Sequence, residues 1–315
     1  MKKNLPNAYF RNPVKSEDVI ELLRNNWDIE VLVYGNKNLS LEGVCDPRNG
    51  GRYQLVFSSS EQMENIKNLT DSFVLIDVAP PEHFDKRNQY CVVSDPRTAF
   101  ITLLDWLIDN VGVDAHERGF TLGAEISRDA IISASAIIEP GVQIGGGSQV
   151  CAGAVIKQGT RIGENTVIRE NTVVGSDGVI VHRAEDGRLL KFPHVGGVLI
   201  GSNTEIGANA VVAGGILAPT FIGTEVVIGN LCNIGHGVIV EDGTWMSVGS
   251  LIGGHTTIRT SATIAMGCTI RNSLVIGEEA SLGMGSVVVK DVDPKRSMFG
   301  NPAKRMAGLK TGPDR

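Results

Sequence analysis

Residues 222–252 read IGTEVVIGNLCNIGHGVIVEDGTWMSVGSLI, and every sixth residue, starting from Ile222, is aliphatic or methionine. A repeat of six that persists over so long a stretch is typical of a solenoid, whereas a β-sandwich would alternate with a period of two inside its strands. The full set of these positions is Ile126, Ile132, Ile138, Ile144, Val150, Ile156, Ile162, Ile168, Val174, Ile200, Ile206, Val212, Ile222, Ile228, Ile234, Val240, Met246, Ile252, Ile258, Ile264, Ile270, Ile276, Leu282 and Val288.

A second signal accompanies the first. Two residues before nearly every one of these positions, from Ala124 to Ser286, the side chain is small or β-branched. One large and one small inward residue per hexad suits a triangular coil, with three hexads in each 18-residue turn. The 24 hexads then predict a mainly β fold, a parallel β-helix of about eight coils, roughly 35–40 Å long at the usual strand spacing.

The chain divides into three parts by this pattern. Residues 1–118 lack the repeat and predict a small α/β domain, with helices at residues 16–26, capped by Ser16, and 98–110, after Asp95 and Pro96. Its predicted strands are residues 41–44, 54–57, 73–78 and 90–93. Residues 119–292 form the β-helix, interrupted by a charged, turn-rich excursion at 175–197, and residues 293–315 form a C-terminal tail.

Composition excludes several classes of protein. The net charge is −6 and no basic block is present, so a nucleic-acid partner is not expected. No apolar run reaches the length of a signal peptide or a membrane span, and we expect a cytoplasmic protein without membrane insertion. The five cysteines include no CxxC pair; Cys232 and Cys268 occupy the small inward positions and are expected to pack in the core.

One histidine stands out. His236 lies two positions after Ile234, outside the inward register, and the residue one coil later is Gly254. A histidine beside an accessible backbone N–H is a workable pair for acyl transfer, because the imidazole can take a proton and the N–H can stabilise an oxyanion. The alternative is an inert surface histidine.

Three segments together resemble the UDP-3-O-acylglucosamine N-acyltransferase family of left-handed β-helix enzymes. The first comprises Gly43-Val44, residues 55–57 (LVF) and residues 92–99 (VVSDPRTA); the second is the excursion, which begins GSDGV and ends KFPHVG; the third is NLCNIGH, residues 230–236. The resemblance implies a left-handed coil, a homotrimer, and transfer of an acyl group to the amine of a nucleotide-linked sugar, with no bound cofactor.

Carried over to this chain, the resemblance makes His236 the general base and the Gly254 amide the oxyanion donor. Asn233 is a candidate to orient His236, since Gly237 offers no side chain. We assign the nucleotide-linked sugar to Phe57, Ser60, Asp95, Asn230, Asn233 and His194, and the acyl donor to Gly253, His255, Met266, Arg271 and Lys304.

The sequence also departs from the family. Ser60 and Met63 stand where the family has an asparagine and a tyrosine near its nucleotide base, and Ser273 stands where it has a second histidine. Residues 299–304 (FGNPAK) instead resemble the end of acetyl-CoA-dependent sugar acetyltransferases. We therefore expect a CoA thioester, with acetyl as the acyl group, and an amino deoxysugar as acceptor. An acyl-carrier-protein-dependent enzyme of lipid A synthesis and a non-catalytic hexapeptide scaffold are the alternatives.

A metal site is the remaining chemical alternative. Some hexapeptide-repeat proteins resemble carbonic anhydrases that bind zinc through three histidines. This sequence has neither HxxxH nor HxxxxH, so we predict no metal.

Overall fold

The computed structural model describes residues 7–27, 29–81, 84–116, 123–302 and 304–305. The chain forms two compact units. The first unit contains Met1–Phe120, Val179–Gly196 and Ile216–Ala218, and the second contains Thr121–Gly178, Gly197–Gly215 and Pro219–Arg315. Most of the excursion therefore packs with the N-terminal unit and not with the β-helix to which the sequence pattern assigned it. The excursion packs with the first unit because hydrophobic side chains are buried there: Phe192, and also Ile216 and Leu217 of the second insertion, lie in the core of the first unit.

The first unit is built on a seven-stranded sheet. The strands of this unit are β1 (Ala8–Lys15), β2 (Leu32–Gly35), β3 (Ser40–Val44), β4 (Gly51–Arg52), β5 (Gln54–Phe57), β6 (Leu69–Thr70), β7 (Phe73–Ile76), β8 (Gln89–Val92) and β9 (Val113–Ala115), with β4 and β6 forming a separate pair. The order of the strands in the sheet is β2-β8-β7-β5-β3-β1-β9; β3, β5, β7 and β8 run parallel, and β1, β2 and β9 pair antiparallel. Short 3₁₀ helices cover Pro47–Asn49 and Ser60–Ile66.

Helix α1 (Ser16–Trp27) matches the predicted segment, but its first residue acts differently from the prediction. Ser16 is fully buried, and its hydroxyl accepts a hydrogen bond from the backbone N–H of Leu39 at 3.1 Å. The predicted capping role for Ser16 is therefore wrong, because the hydroxyl joins the helix to the segment that leads into β3. The apolar face is confirmed, with Val19 and Leu23 fully buried.

Helix α2 (Pro96–Asn110) begins two residues earlier than predicted. Asp95 caps it by accepting hydrogen bonds from the N–H groups of Arg97 and Thr98, and Pro96 occupies the first turn, where a missing N–H costs nothing. Phe100, Leu103, Leu104 and Leu107 form the buried face, as predicted. Within the described residues, no helix has the length and apolarity to cross a bilayer.

The second unit is a parallel β-solenoid with three faces. Its first face contains Glu125–Ile126, Gln143–Ile144, Thr160–Ile162, Val198–Ile200, Thr220–Ile222, Ile239–Val240, Thr257–Ile258 and Val275–Ile276. Its second face contains Ile131–Ile132, Gln149–Val150, Val167–Ile168, Glu205–Ile206, Val227–Ile228, Trp245–Met246, Thr263–Ile264, Ser281–Leu282, Ser297–Phe299 and Lys304–Arg305. Its third face contains Ile137–Ile138, Val155–Ile156, Val173–Ser176, Val211–Ala213, Asn233–Ile234, Leu251–Ile252, Thr269–Ile270 and Val287–Val288.

The predicted inward register is confirmed by the strand pairing. Each large hexad residue stacks on its equivalent in the next coil, as Ile234 does on Ile252 and Ile252 on Ile270. These residues are buried from Ile144 onward, whereas Ile126 in the first coil is exposed. Leu274 is the one large residue in a small inward position, and it is also buried.

The six-residue spacing breaks twice, at the excursion and between Val212 and Ile222, and both insertions lie between a strand of the third face and the next strand of the first face. The first face continues across the excursion, because Thr160–Ile162 pairs directly with Val198–Ile200. The excursion itself folds as an antiparallel hairpin of Val181–Arg183 with Leu189–Lys191. The step from Val212 to Ile222 is four residues longer than one hexad, and it contains Ile216–Ala218, which belongs to the first unit.

The predicted C-terminal tail, residues 293–315, contains two strands among its described residues. Ser297–Phe299 pairs in parallel with Ser281–Leu282. Lys304–Arg305 in turn pairs antiparallel with Ser297–Phe299. The second face of the solenoid therefore continues through residues that fall outside the hexad pattern.

Candidate active site

His236 lies in the turn that follows Asn233–Ile234 on the third face, and its side chain is seated on a glycine. A β-carbon at Gly254 would lie 2.5 Å from Cε1 and 2.6 Å from Nε2 of His236. Any side chain at residue 254 would therefore displace the imidazole. The 18-residue repeat predicts the stacking of Gly254 on His236, and the structure shows the contact.

A second histidine belongs to the same corner of the solenoid. The ring of His255 meets the ring of His236 edge-on, with centroids 4.8 Å apart and 77° between the planes. His255 is in turn seated on Gly237, where a β-carbon would lie 2.7 Å from Nδ1. The two histidines thus occupy neighbouring coils, and each covers a glycine of the other coil.

Hydrogen bonds between adjacent coils hold the backbone at this corner. The N–H of His255 donates to the carbonyl of His236 at 2.9 Å, and the N–H of Ser273 donates to the carbonyl of Gly254 at 2.9 Å. His255 has φ +59°, in the left-handed region, as do the residues at the equivalent turn position of other hexads, among them Asn209, Ser261 and Ser273. This conformation therefore belongs to the regular turn of the solenoid.

The N–H of Gly254 donates no hydrogen bond to any residue that the structure describes. Its carbonyl accepts a hydrogen bond from Ser273, so the amide N–H is the backbone polar group of Gly254 that has no partner among the described residues. A base and a hydrogen-bond donor presented together can remove a proton from an attacking amine and stabilise the oxygen that becomes negative.

Thr220 supports this corner from inside the solenoid, and sequence analysis did not single it out. Its buried hydroxyl accepts a hydrogen bond from the N–H of Gly237 at 2.9 Å, immediately after His236. Thr220 occupies a small inward position like many other threonines of the repeat, so the sequence carries no signal that separates it from them.

The residues assigned to the acyl donor do not all lie at this corner. Gly253 and Gly254 are consecutive, and the N–H of Gly253 donates to Ile270 O, next to Arg271 in the following coil. Met266 lies at a different corner, in the turn after Thr263–Ile264 of the second face, and Lys304 pairs with Phe299 on that face. His236, Gly253, Gly254, His255 and Arg271 are therefore grouped, and Met266 and Lys304 are separate from them.

The two asparagines assigned to the sugar also occupy different positions. Asn233 is exposed on the outer side of the third face, two residues before Gly235. Asn230 lies one turn earlier, and its Oδ1 accepts a hydrogen bond from the N–H of Ala208 at 2.8 Å. This contact gives Asn230 a part in holding adjacent coils together. The orienting role of Asn233 stays a prediction.

Phe57, Ser60, Asp95 and His194 all belong to the first unit. The ring of Phe57 is half-buried and packs against Phe100 and Phe192, with centroid distances of 4.8 and 5.9 Å. Ser60 is exposed, and both its N–H and its hydroxyl donate to Asp77 at 2.7 and 3.1 Å. Phe57 therefore contributes to the core in which the excursion is anchored.

The carboxylate of Asp95 makes a set of hydrogen bonds within the first unit. Besides capping α2, it accepts from the Thr98 hydroxyl at 2.6 Å and lies 3.0 Å from Nε2 of His182 in the excursion hairpin. Burial acts to raise the pKa of Asp95, but the hydrogen bonds from Thr98 and His182 outweigh it and hold the pKa below its usual value. These contacts give Asp95 a structural role that the sequence did not predict.

Two cysteines of the solenoid, Cys232 and Cys268, pack in its interior, as predicted. Cys232 and Cys268 are buried, and their thiols donate to the carbonyls of Ser247 and Gly283. Burial raises the pKa of both thiols, which lowers the thiolate fraction at neutral pH. Among the described residues, no three His, Cys, Asp or Glu side chains come together as a metal site would need.

No known family profile matches the chain. A UDP-3-O-acylglucosamine N-acyltransferase of Shewanella denitrificans is 44% identical over 82 residues, which are 26% of this chain and 24% of that protein. The enzyme of the same name from Methylobacterium nodulans is 34% identical over 115 residues, 36% of this chain and 33% of its own length. The aligned segments thus span about a quarter to a third of these relatives.

Among solved structures, a UDP-N-acetylglucosamine acyltransferase of Francisella novicida is similar at 24% identity and a TM-score of 0.48, over 58% of this chain and 67% of that one. The relatives match this chain over part of their length, and the solenoid shows the hexapeptide repeat in three dimensions. The resemblance of this chain to the hexapeptide-repeat acyltransferases is therefore confirmed.

Proposed function

We propose that the protein is an N-acyltransferase that moves an acyl group from a thioester to the amine of a nucleotide-linked sugar. The observation that carries the proposal is the imidazole of His236 seated directly on Gly254, whose N–H makes no hydrogen bond to the described residues. The names of the relatives, which are N-acyltransferases of a UDP-linked glucosamine, support it.

The reaction would be a direct transfer. The sugar amine attacks the thioester carbonyl, a C–N bond forms, and the carbonyl oxygen becomes negative and accepts a hydrogen bond from the Gly254 N–H. His236 takes a proton from the amine nitrogen. When the intermediate collapses, the C–S bond breaks and the protonated imidazole returns its proton to the departing sulfur. The products are an amide and a free thiol.

A covalent enzyme intermediate is not needed in this proposal. Cys232, the cysteine nearest to His236 in sequence, points into the core, and burial raises the pKa of its thiol. A buried and protonated thiol is a poor nucleophile. The amine of the acceptor is therefore the group that attacks the thioester.

Two donors remain as candidates, and one observation favours the longer acyl chain. Val248, Met266 and Met284 occupy equivalent positions in three consecutive coils at the corner after the second face, and their side chains are 37%, 48% and 60% exposed. This apolar row is roughly 10 Å long at the usual strand spacing and is separated from the His236 corner by the third face, so it would cover the far end of a long acyl chain and not the reacting carbonyl. The row therefore favours a fatty acyl group on a carrier protein, with UDP-3-O-acylglucosamine as acceptor, over acetyl-CoA with an amino deoxysugar.

The remaining features implied by the resemblance belong to the same proposal. The coil would be left-handed, the active protein a homotrimer, and the first unit would hold the nucleotide-linked sugar through Phe57 and its neighbours. Analytical ultracentrifugation tests the assembly: a species of three times the chain mass, 33.6 kDa, is expected, and a monomer at micromolar concentration would contradict it.

The substrate is tested by measuring thiol release. Acetyl-CoA and a 3-hydroxyacyl carrier protein would each be supplied with UDP-3-O-acylglucosamine and with a panel of UDP- and dTDP-linked amino deoxysugars. We expect product from at least one pair, identified by mass as an amide. No product from any pair would contradict the proposed reaction, and product with acetyl-CoA alone would assign the shorter donor.

A further inference from the structure

The first unit contains a concave site that none of the residues assigned to acyl transfer lines. This site, the β2 pocket, lies where β2 forms the edge of the seven-stranded sheet, and its volume is about 710 Å³. Pockets for small molecules usually measure about 300–1,000 Å³. We propose that the β2 pocket binds an anionic ligand with a planar heteroaromatic ring, the chemistry of a nucleoside phosphate.

Aromatic rings form one wall of the β2 pocket. Tyr34 on β2 pairs directly with Tyr90 on β8, and residues directly opposite each other on antiparallel strands project to the same face. The ring of Phe84 stacks near Tyr90, with centroids 6.0 Å apart and 19° between the planes. Tyr90 is only 3% exposed, whereas Tyr34 is 42% exposed. The buried Tyr90 and the half-buried Phe84 thus form the base, and Tyr34 offers a ring for stacking.

The base of the pocket is held in place by hydrogen bonds. The hydroxyl of Tyr90 donates to the carbonyl of Asp85 at 3.3 Å and accepts from Nδ2 of Asn88 at 3.2 Å. The N–H of Asn88 also donates to the carbonyl of Asp85 at 3.1 Å. A ligand would therefore meet rings that are already positioned, which lowers the entropy cost of binding.

The charge on the rim favours an anion. Arg87 and Asp85 neutralise each other, with Nε of Arg87 3.0 Å from each carboxylate oxygen. Lys86, between them in sequence, is exposed and lines the pocket, and it forms no ion pair with any residue that the structure describes. Among the described residues that line the pocket, the positive charge of Lys86 is therefore the one without an acidic partner.

The two features together define the ligand. An aromatic ring can stack on the face of any nucleobase, whatever hydrogen-bonding groups that base carries, as in single-stranded nucleic-acid binding. An unmatched ammonium attracts phosphate. A ring without a phosphate would lose the contact with Lys86, and phosphate without a ring would lose the contact with Tyr34.

Isothermal titration calorimetry of the full chain with UMP, AMP, uridine, adenosine and inorganic phosphate tests the proposal. We expect UMP or AMP to bind, and the matching nucleoside and phosphate alone to bind at least about tenfold more weakly. Tyr34→Ala should weaken nucleotide binding at least about fivefold, the effect of losing one stacked ring. Lys86→Gln should weaken it about threefold or more and reduce its dependence on salt.

Matched variants separate this site from others. Tyr34→Phe keeps the ring and Lys15→Gln removes an exposed lysine of β1 outside the pocket, so both should bind like the wild type. Acyl transfer should persist in Tyr34→Ala, which separates failure of this site from failure of the proposed reaction. The inference would be overturned if no nucleotide bound at millimolar concentration, or if Tyr34→Ala and Lys86→Gln bound nucleotide as well as the wild type does.

Discussion

The imidazole of His236 lies directly over Gly254, so close that a β-carbon at residue 254 would come within 2.6 Å of Nε2. The pair connects two adjacent coils of the solenoid, and it makes neighbours of the residues that we propose as general base and oxyanion donor. Glycine is needed at residue 254 because of this contact, since its own backbone does not have a positive φ.

Replacing Gly254 with alanine should therefore impair the reaction more than the fold. The methyl group would push the imidazole away from the amide, and we expect kcat to fall at least about 100-fold, the usual effect of losing an aligned base or oxyanion donor. Gly123→Ala is the matched control, because a β-carbon there meets nothing within 4 Å. Both variants should unfold cooperatively at similar temperatures. Wild-type kcat in Gly254→Ala would contradict the arrangement.

The hydroxyl of Thr220 should matter for the position of His236. Thr220→Val removes the hydrogen bond to the N–H of Gly237 with little change in volume, and we expect kcat to fall by about three- to tenfold, with KM for the donor unchanged. Thr160→Val is the control, since Thr160 occupies the equivalent inward position on the same face and its buried hydroxyl has no hydrogen-bond partner within the described chain. Equal kinetics in the two variants would show that Thr220 does not position the turn.

The contacts of Asp95 predict how stability depends on pH. Because its folded pKa is lower than its unfolded value near 3.9, the stabilisation is present above about pH 4 and is lost as the pH falls through the folded pKa. Urea unfolding of the wild type between pH 6 and 3 should show this loss.

Asp95→Asn keeps an oxygen that can cap α2 but cannot carry a charge beside His182. The variant should be less stable than the wild type at pH 6, by about 0.5–2 kcal/mol, and the difference should shrink toward pH 3. A difference that stays constant over this range would show that the charge of Asp95 contributes nothing to stability.

The exposed apolar row at the corner after the second face predicts the donor. Met266→Gln should lower kcat/KM for a 3-hydroxyacyl carrier protein by about five- to twentyfold, because burying part of an acyl chain against a methionine is worth about 1–2 kcal/mol. The same variant should transfer acetyl from acetyl-CoA at the wild-type rate. An equal fall in kcat/KM for both donors would show that Met266 acts by stabilising the fold. A lower melting temperature of the variant would confirm this.

The solenoid was predictable because a strict six-residue repeat is compatible with few other folds. Once Ile234 is placed inside the coil, the positions of His236 and of Gly254 one coil later follow by counting. The two helices of the first unit were also predictable, since each has a buried face of regularly spaced apolar residues. Strand β1 was missed because Asn12 and Pro13 interrupt its pattern, and its pairing with β3 shifts register between Tyr9 and Val14.

Contacts between residues that are distant in sequence could not be predicted. His182 contacts Asp95, which is 87 residues away in sequence, and nothing in the sequence around either residue identifies the other as its partner. The hydroxyl of Ser16 looks like a helix cap in the sequence, and only its partner, the N–H of Leu39, shows otherwise. The tail strand Ser297–Phe299 departs from the hexads and forms because an open edge of the second face is available to it.

The turnover of His236→Ala, measured by thiol release with the donor and acceptor that the substrate panel identifies, tests the central proposal most directly. Glu278→Ala is the matched control, because Glu278 is exposed and occupies the same position of its hexad, two residues after Ile276. We predict that kcat falls at least about 100-fold in His236→Ala and stays at the wild-type value in Glu278→Ala, with unchanged melting temperatures for both. Wild-type turnover in His236→Ala would contradict the proposal that His236 is the general base.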